Sequence, residues 1–116
     1  MELEAILKHL LPEEIFDYFD FKGIKEEGEK QLLIYLDEKP IKPEELSNKE
    51  IISIGFDEPI RVQDFPIRGK AAYFVVRRHK WKDKESGKVY SRNWKLTASG
   101  TSYSKEFAAF LKGISG

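Results

Sequence analysis

The chain has no cysteine and two histidines in 116 residues. Without cysteine there is no disulfide, and no thiolate to act as nucleophile or metal ligand. His9 and His79 lie far apart in sequence, and no metal-site spacing joins them, so no metal is expected. No stretch approaches the ~20 apolar residues of a membrane span. The start, Met1 to Lys8, has neither a basic n-region nor a long apolar run. The expected location is cytoplasmic, with no membrane partner. A glycine-rich phosphate loop and a nucleophile motif are also missing. Asp37, Asp57 and Asp64 are the nearest approach to a carboxylate cluster, but acids are common around them and they read as a solvated face. No catalytic residue and no cofactor is assigned, and the chain is not expected to be an enzyme.

What the chain has is a split charge. Its 20 basic and 20 acidic residues cancel. Residues 1–60 carry 7 basic and 16 acidic residues, a net of −9, and residues 61–116 carry 13 basic and 4 acidic, a net of +9. Such asymmetry points to a polyanion for the basic half, nucleic acid first. It also fits halves that neutralise each other, within one molecule or between copies. Length sets a single domain over residues 1–116, and 41% apolar residues suffice for a core.

The pattern of apolar residues predicts an α+β fold. Leu3, Ile6, Leu7, Leu10 and Leu11 form one helical stripe, which Pro12 stops. Ile15, Phe16 and Phe19 predict a second short helix. Two strands, Phe21 to Glu27 and Lys30 to Glu38, flank the Glu27-Gly28-Glu29 turn, and the second is apolar on both parities over Gln31 to Leu36 and expected to be covered on both faces. Pro40 and Pro43 mark a loop with one helical turn at 43–46. Ile51 to Ile54 is extended, Ile60 and Val62 suit a short strand, and 65–70 reads as a turn. A long hairpin follows: Ala71 to Lys82 out, a turn at 83–87, and Val89 to Ala98 back. Placing Ser86 at the tip pairs Lys80 with Arg92, Arg78 with Trp94 and Val76 with Leu96; a one-residue slip would swap every face. The chain closes with a helix capped by Ser104 and carrying Phe107, Phe110, Leu111 and Ile114 toward the sheet. The expected architecture is two N-terminal helices, a mostly antiparallel sheet with a protruding basic β-hairpin, and a C-terminal helix packed on the sheet.

The hairpin carries the strongest chemical signal: Arg77-Arg78-His79-Lys80-Trp81-Lys82 outward, Lys84 and Lys88 around the turn, and Arg92, Trp94 and Lys95 on the return. Cations neutralise phosphates and release counterions, and aromatic rings offer stacking surfaces. A two-stranded ribbon is narrow enough for a major groove. The alternative is a lysine-solubilised hairpin with Trp94 partly buried under Arg78. The expected DNA contacts are Arg77, Arg78, His79, Lys80, Trp81, Lys82, Arg92 and Lys95, with Arg68 and Lys70 on flanking phosphates. The acidic helices, in turn, could dock a basic partner or simply be solvated.

The run Asp64-Phe65-Pro66-Ile67-Arg68-Gly69, the strand Tyr73 to Val76, and Arg77-Arg78-His79-Lys80-Trp81 together resemble a pattern in insertion-sequence transposases with an N-terminal zinc ribbon: Asp-Leu-Pro-x-x-Gly, an alternating strand, then Arg-Arg-x-x-Cys. Trp81 stands where that family has a zinc-binding cysteine. The opening Leu10 to Asp20 and the closing Tyr103 to Leu111 look like the ISAon-type subgroup, in which a short N-terminal-region protein is encoded apart from the catalytic transposase. The resemblance covers nearly the whole chain. It implies a non-catalytic component that binds double-stranded DNA at transposon ends, with a separately encoded transposase as partner. Lacking every cysteine ligand, a ribbon-like hairpin here must be held by packing. The alternative is a protein interaction module, a homo-oligomer or a docking partner, working through its opposite-charge halves.

Overall fold

The computed structural model describes residues 9, 11–67, 69–94 and 104–115. Within them the fold is α+β: two sheets, mostly antiparallel, and a C-terminal helix. The elements run α1 (Ile15–Tyr18), β1 (Phe19–Glu27), β2 (Gln31–Glu38), a 3-10 turn (Glu44–Leu46), β3 (Ile51–Phe56), β4 (Ile60–Ile67), β5 (Lys70–Arg77), β6 (His79–Asp83), β7 (Val89–Tyr90) and α2 (Lys105–Ser115). The first sheet has the order β1-β2-β5-β4 and the second β3-β6-β7. Every ladder is antiparallel except β2 with β5.

The pair of N-terminal helices is not what the structure describes. The expected first helix falls almost wholly outside the described residues; of it, His9 is helical and exposed and Leu11 is buried. The second is a single turn, because Phe19 leaves it for an extended conformation and starts β1 opposite Glu38. Phe19 buries its ring between Trp94 and Phe110, with centroids 5.2 and 5.3 Å away. From Phe19 the alternation of period two overrides the helical spacing begun at Ile15.

One face of the first sheet holds the core. Ile34, Leu36, Phe74 and Val76 meet Phe107, Phe110, Leu111 and Ile114 of α2, with Ile15, Phe19 and Trp94 closing the cluster. The Phe110 ring stands edge-on to Phe74 at 5.2 Å. The expected Ser104 cap is present: its Oγ accepts the Phe107 N–H at 3.2 Å. Glu14 reaches the same end, its carboxylate accepting the Ser104 N–H at 2.9 Å, and that bond holds its pKa below the ordinary value. Gly113 lets α2 pass close to β4, since a Cβ there would lie 2.6 Å from a Val62 methyl. On the other face of β2, Leu33 and Asp37 are also buried. β4 runs further than expected, through Pro66, which an edge strand tolerates.

The expected twelve-residue strand is two strands. Its regularity breaks at Arg78. There Glu38 stands in for a ladder partner, accepting the His79 N–H at 2.9 Å, and the Arg78 carbonyl accepts the Asp57 N–H at 2.8 Å. The chain thereby passes from the first sheet into the second. The hairpin is correspondingly short. Trp81 pairs with Tyr90 and Lys82 with Val89, one residue away from the register that put Ser86 at the tip. Asp83 sets this register: its Oδ1 accepts the Glu85 N–H and its carbonyl accepts the Gly87 N–H, with Gly87 at φ 75°. The return residues Leu96 to Ala98 lie outside the described residues.

Candidate nucleic-acid interface

The residues expected to hold DNA divide by whether their side chains already have partners. Several are occupied within the molecule. Arg77 grips Asp37 on the neighbouring strand, its Nε and Nη2 donating at 2.7 and 2.6 Å, and its guanidinium lies 4.2 Å from the Phe56 ring centroid. Arg78 is partly buried, donating to the Ile114 carbonyl at 3.2 Å at the end of α2 and lying 3.5 Å from Asp57. His79 is buried between the Phe56 and Trp81 rings, its Nδ1 at 3.1 Å from both the Ser53 hydroxyl and the Gly55 carbonyl. Trp81 is 5% exposed and so presents no stacking surface. Lys70 holds Glu26 at 2.8 Å. Arg68 and Lys95 lie outside the described residues.

Arg92 is the most deeply placed arginine or lysine among the described residues. It is buried, donates from Nη2 to the Ile41 carbonyl at 3.0 Å, and lies 5.4 Å from the Tyr18 and Trp94 ring centroids. Its Nε faces Glu38 Oε2 at 3.7 Å, close enough for attraction but too far for a hydrogen bond. Burial pushes the Glu38 carboxyl up to about 7, although the His79 N–H and the Arg92 and Arg78 charges pull the other way. Asp37 and Asp57, expected on a solvated face, are thus arginine partners, and Asp37 is buried.

Part of the split charge is neutralised inside one molecule. Five of the six ion pairs among the described residues join a cation after position 60 to an acid before it: Arg61–Glu27, Lys70–Glu26, Arg77–Asp37, Arg78–Asp57 and Arg92–Glu38. β1 and β2 supply four of these acids, and β4, β5 and the segment after β7 supply most of the cations.

A second set of cations remains outward. Lys82, Lys84 and Lys88 are exposed and Lys80 is half-buried, and none has an acidic partner among the described residues. All four lie on the β6–β7 hairpin. Lys82 sits in a cross-strand row with Ile52 of β3 and Val89 of β7, which are 43% and 53% exposed. The opposite face of β6 turns His79, Trp81 and Asp83 inward. Lys84 and Lys88 stand out as site residues only once the hairpin is short, because the longer register drew attention to its arginine-rich base. Among the described residues, no group of three or more metal-ligating side chains occurs. No helix of the described residues is long and apolar enough to cross a membrane. Comparison with models of known protein families, with curated proteins and with solved structures finds no match.

Proposed function

We propose that the protein is a non-catalytic DNA-binding component of a transposition system, holding duplex DNA on the lysines of its β6–β7 hairpin and acting beside a separately encoded catalytic transposase. The observation that carries this reading is the sorting of cations: Arg77, Arg78 and Arg92 are spent on acids of the same molecule, and Lys80, Lys82, Lys84 and Lys88 are left together on one narrow ribbon. Exposed lysines are point charges that suit phosphates without reading bases. With Trp81 buried, stacking drops out of the mechanism. The resemblance of 64–81 to transposase N-terminal regions supplies the choice of DNA among polyanions.

The test is a titration of labelled duplex at several salt concentrations. Affinity of roughly 10⁻⁴ to 10⁻⁶ M at physiological salt is expected for such non-specific contacts. Four neutralised phosphates give a slope of log K against log salt of about −3.6. No binding of any duplex at ~50 mM salt would remove this reading.

A second reading, a protein interaction module, draws on Ile52, Ile54 and Val89, three exposed aliphatic side chains of the second sheet. Its electrostatic form is weakened by the five opposite-charge pairs that form within the molecule.

A further inference from the structure

The outer face of the second sheet carries a row of lysines down its middle strand. In β6, His79, Trp81 and Asp83 are buried, and Lys80 and Lys82 alternate with them. The Lys84 N–H donates to the Glu50 carbonyl, so the ladder with β3 runs one residue past β6 and Lys84 keeps the parity of Lys82. Alternate residues of a strand stand roughly 6.6–6.8 Å apart. That is close to the separation of neighbouring phosphates along one strand of nucleic acid.

The row has aliphatic flanks. Ile52 of β3 and Val89 of β7 stand opposite Lys82, one on either side, at the strand spacing of about 4.8 Å. They are 43% and 53% exposed, and neither side chain can donate or accept a hydrogen bond. The Ser53 hydroxyl, next to Ile52, is turned away to His79 Nδ1 at 3.1 Å. Acids mark the tip: Glu50 lies opposite Lys84, and Glu85 is in the turn. The cationic part of the face therefore centres on Lys80 and Lys82.

Resting on the DNA reading, we propose that this face seats the sugar–phosphate backbone of a single DNA strand, with the lysine row on successive phosphates and Ile52 and Val89 against the neighbouring sugars, so that the site selects deoxyribose over ribose. The backbone lies along the row as a ridge, and its sugars reach the aliphatic flanks. A deoxyribose presents carbon at the 2′ position, which suits Ile52 and Val89. A ribose presents a hydroxyl, and covering that hydroxyl with aliphatic carbon takes away its water and gives it no partner. The bases turn away from the protein, so the face reads no sequence. The lysine ribbon works against one backbone and does not enter a groove.

Fluorescence anisotropy of the full chain tests this with three labelled probes: a DNA duplex, an oligodeoxyuridylate and an oligouridylate, the single strands being ~20 nucleotides long to cover the site. The two single strands differ only at the 2′ position. The duplex should bind, and the deoxyuridylate should bind within about tenfold of it, because one strand suffices. The uridylate should bind about tenfold more weakly than the deoxyuridylate. Changing Ile52 and Val89 together to Ser supplies hydroxyl partners and should bring the two single strands to within about twofold of each other. Equal binding of the two single strands by the wild type would overturn the proposal and leave the DNA reading standing on the duplex. So would a preference that the folded double variant keeps, or a duplex bound without the deoxyuridylate. Absence of all binding at ~50 mM salt would remove the DNA reading and this proposal with it. Should circular dichroism find the double variant unfolded, Val89→Ser decides alone, its side chain being the more exposed of the two.

Discussion

Arg77 lies directly opposite Asp37 on the parallel neighbour strand and binds its carboxylate with two nitrogens, at 2.7 and 2.6 Å. A residue that the sequence marks as a DNA contact is the clasp between β2 and β5. The Asp37 side chain is 11% exposed and the Arg77 side chain 46%, so solvent screens part of the attraction. Replacing Arg77 by Ala should cost about 1 kcal/mol, below the full value of a charge-assisted pair. Denaturant melts would measure this, and duplex affinity should change little. A variant of unchanged stability that loses DNA binding would return Arg77 to the interface.

The outward lysines should behave in the opposite way. Changing Lys82, Lys84 and Lys88 to Ala together should leave the melting temperature in place and weaken DNA binding. The salt slope should shrink by about one for each lost phosphate contact. Wild-type affinity and slope in that triple variant would take the hairpin out of the site.

Glu38 sets a pH dependence with a definite sign. Its carboxyl is raised from 4.5 to about 7 by burial, so the folded protein keeps a proton that the unfolded chain gives up in that window. The folded state binding more protons means that stability falls as pH rises from about 4.5 to about 7, by on the order of 3 kcal/mol in all. Below that window Glu14 and Asp83 act in reverse: hydrogen bonds from the Ser104 and Glu85 N–H groups lower their pKa values, and that stability is lost on acidification. Thermal melts should therefore show greater stability near pH 5 than at pH 8. Glu38→Gln keeps an oxygen for the His79 N–H and should flatten the profile over that range. An equally steep profile in this variant would assign the effect to another group.

Phe110 is 4% exposed and touches Phe19, Phe74 and Phe107. Phe110→Ala should cost roughly 3–5 kcal/mol, since a cavity between a helix and a sheet closes poorly. A loss under about 1 kcal/mol in denaturant melts would mean that α2 contributes little to the core.

Local patterns determined much of this protein. The Gly28 and Gly87 turns, the short turn after Pro43, the Ser104 cap and the buried face of α2 follow from spacing and backbone preference, which neighbours in sequence decide. Where the chain changes period, local signals conflicted. Phe19 fits a helix begun at Ile15 and a strand shared with Phe21, and the ladder with β2 chose the strand. The run from Ala71 to Lys82 reads as one strand because nothing within it marks a break. The break at Arg78 comes from Glu38, some forty residues earlier, whose carboxylate takes the His79 N–H. The candidate site turned on the same kind of long-range fact. Composition shows 13 cations after position 60, and it cannot show which of them meet acids from the first half. Pairing β2 with β5 brought Asp37 to Arg77, and the bend at Arg78 carried the next residues onto a second sheet. Charge attraction depends on distance in space, and only the tertiary fold sets those distances.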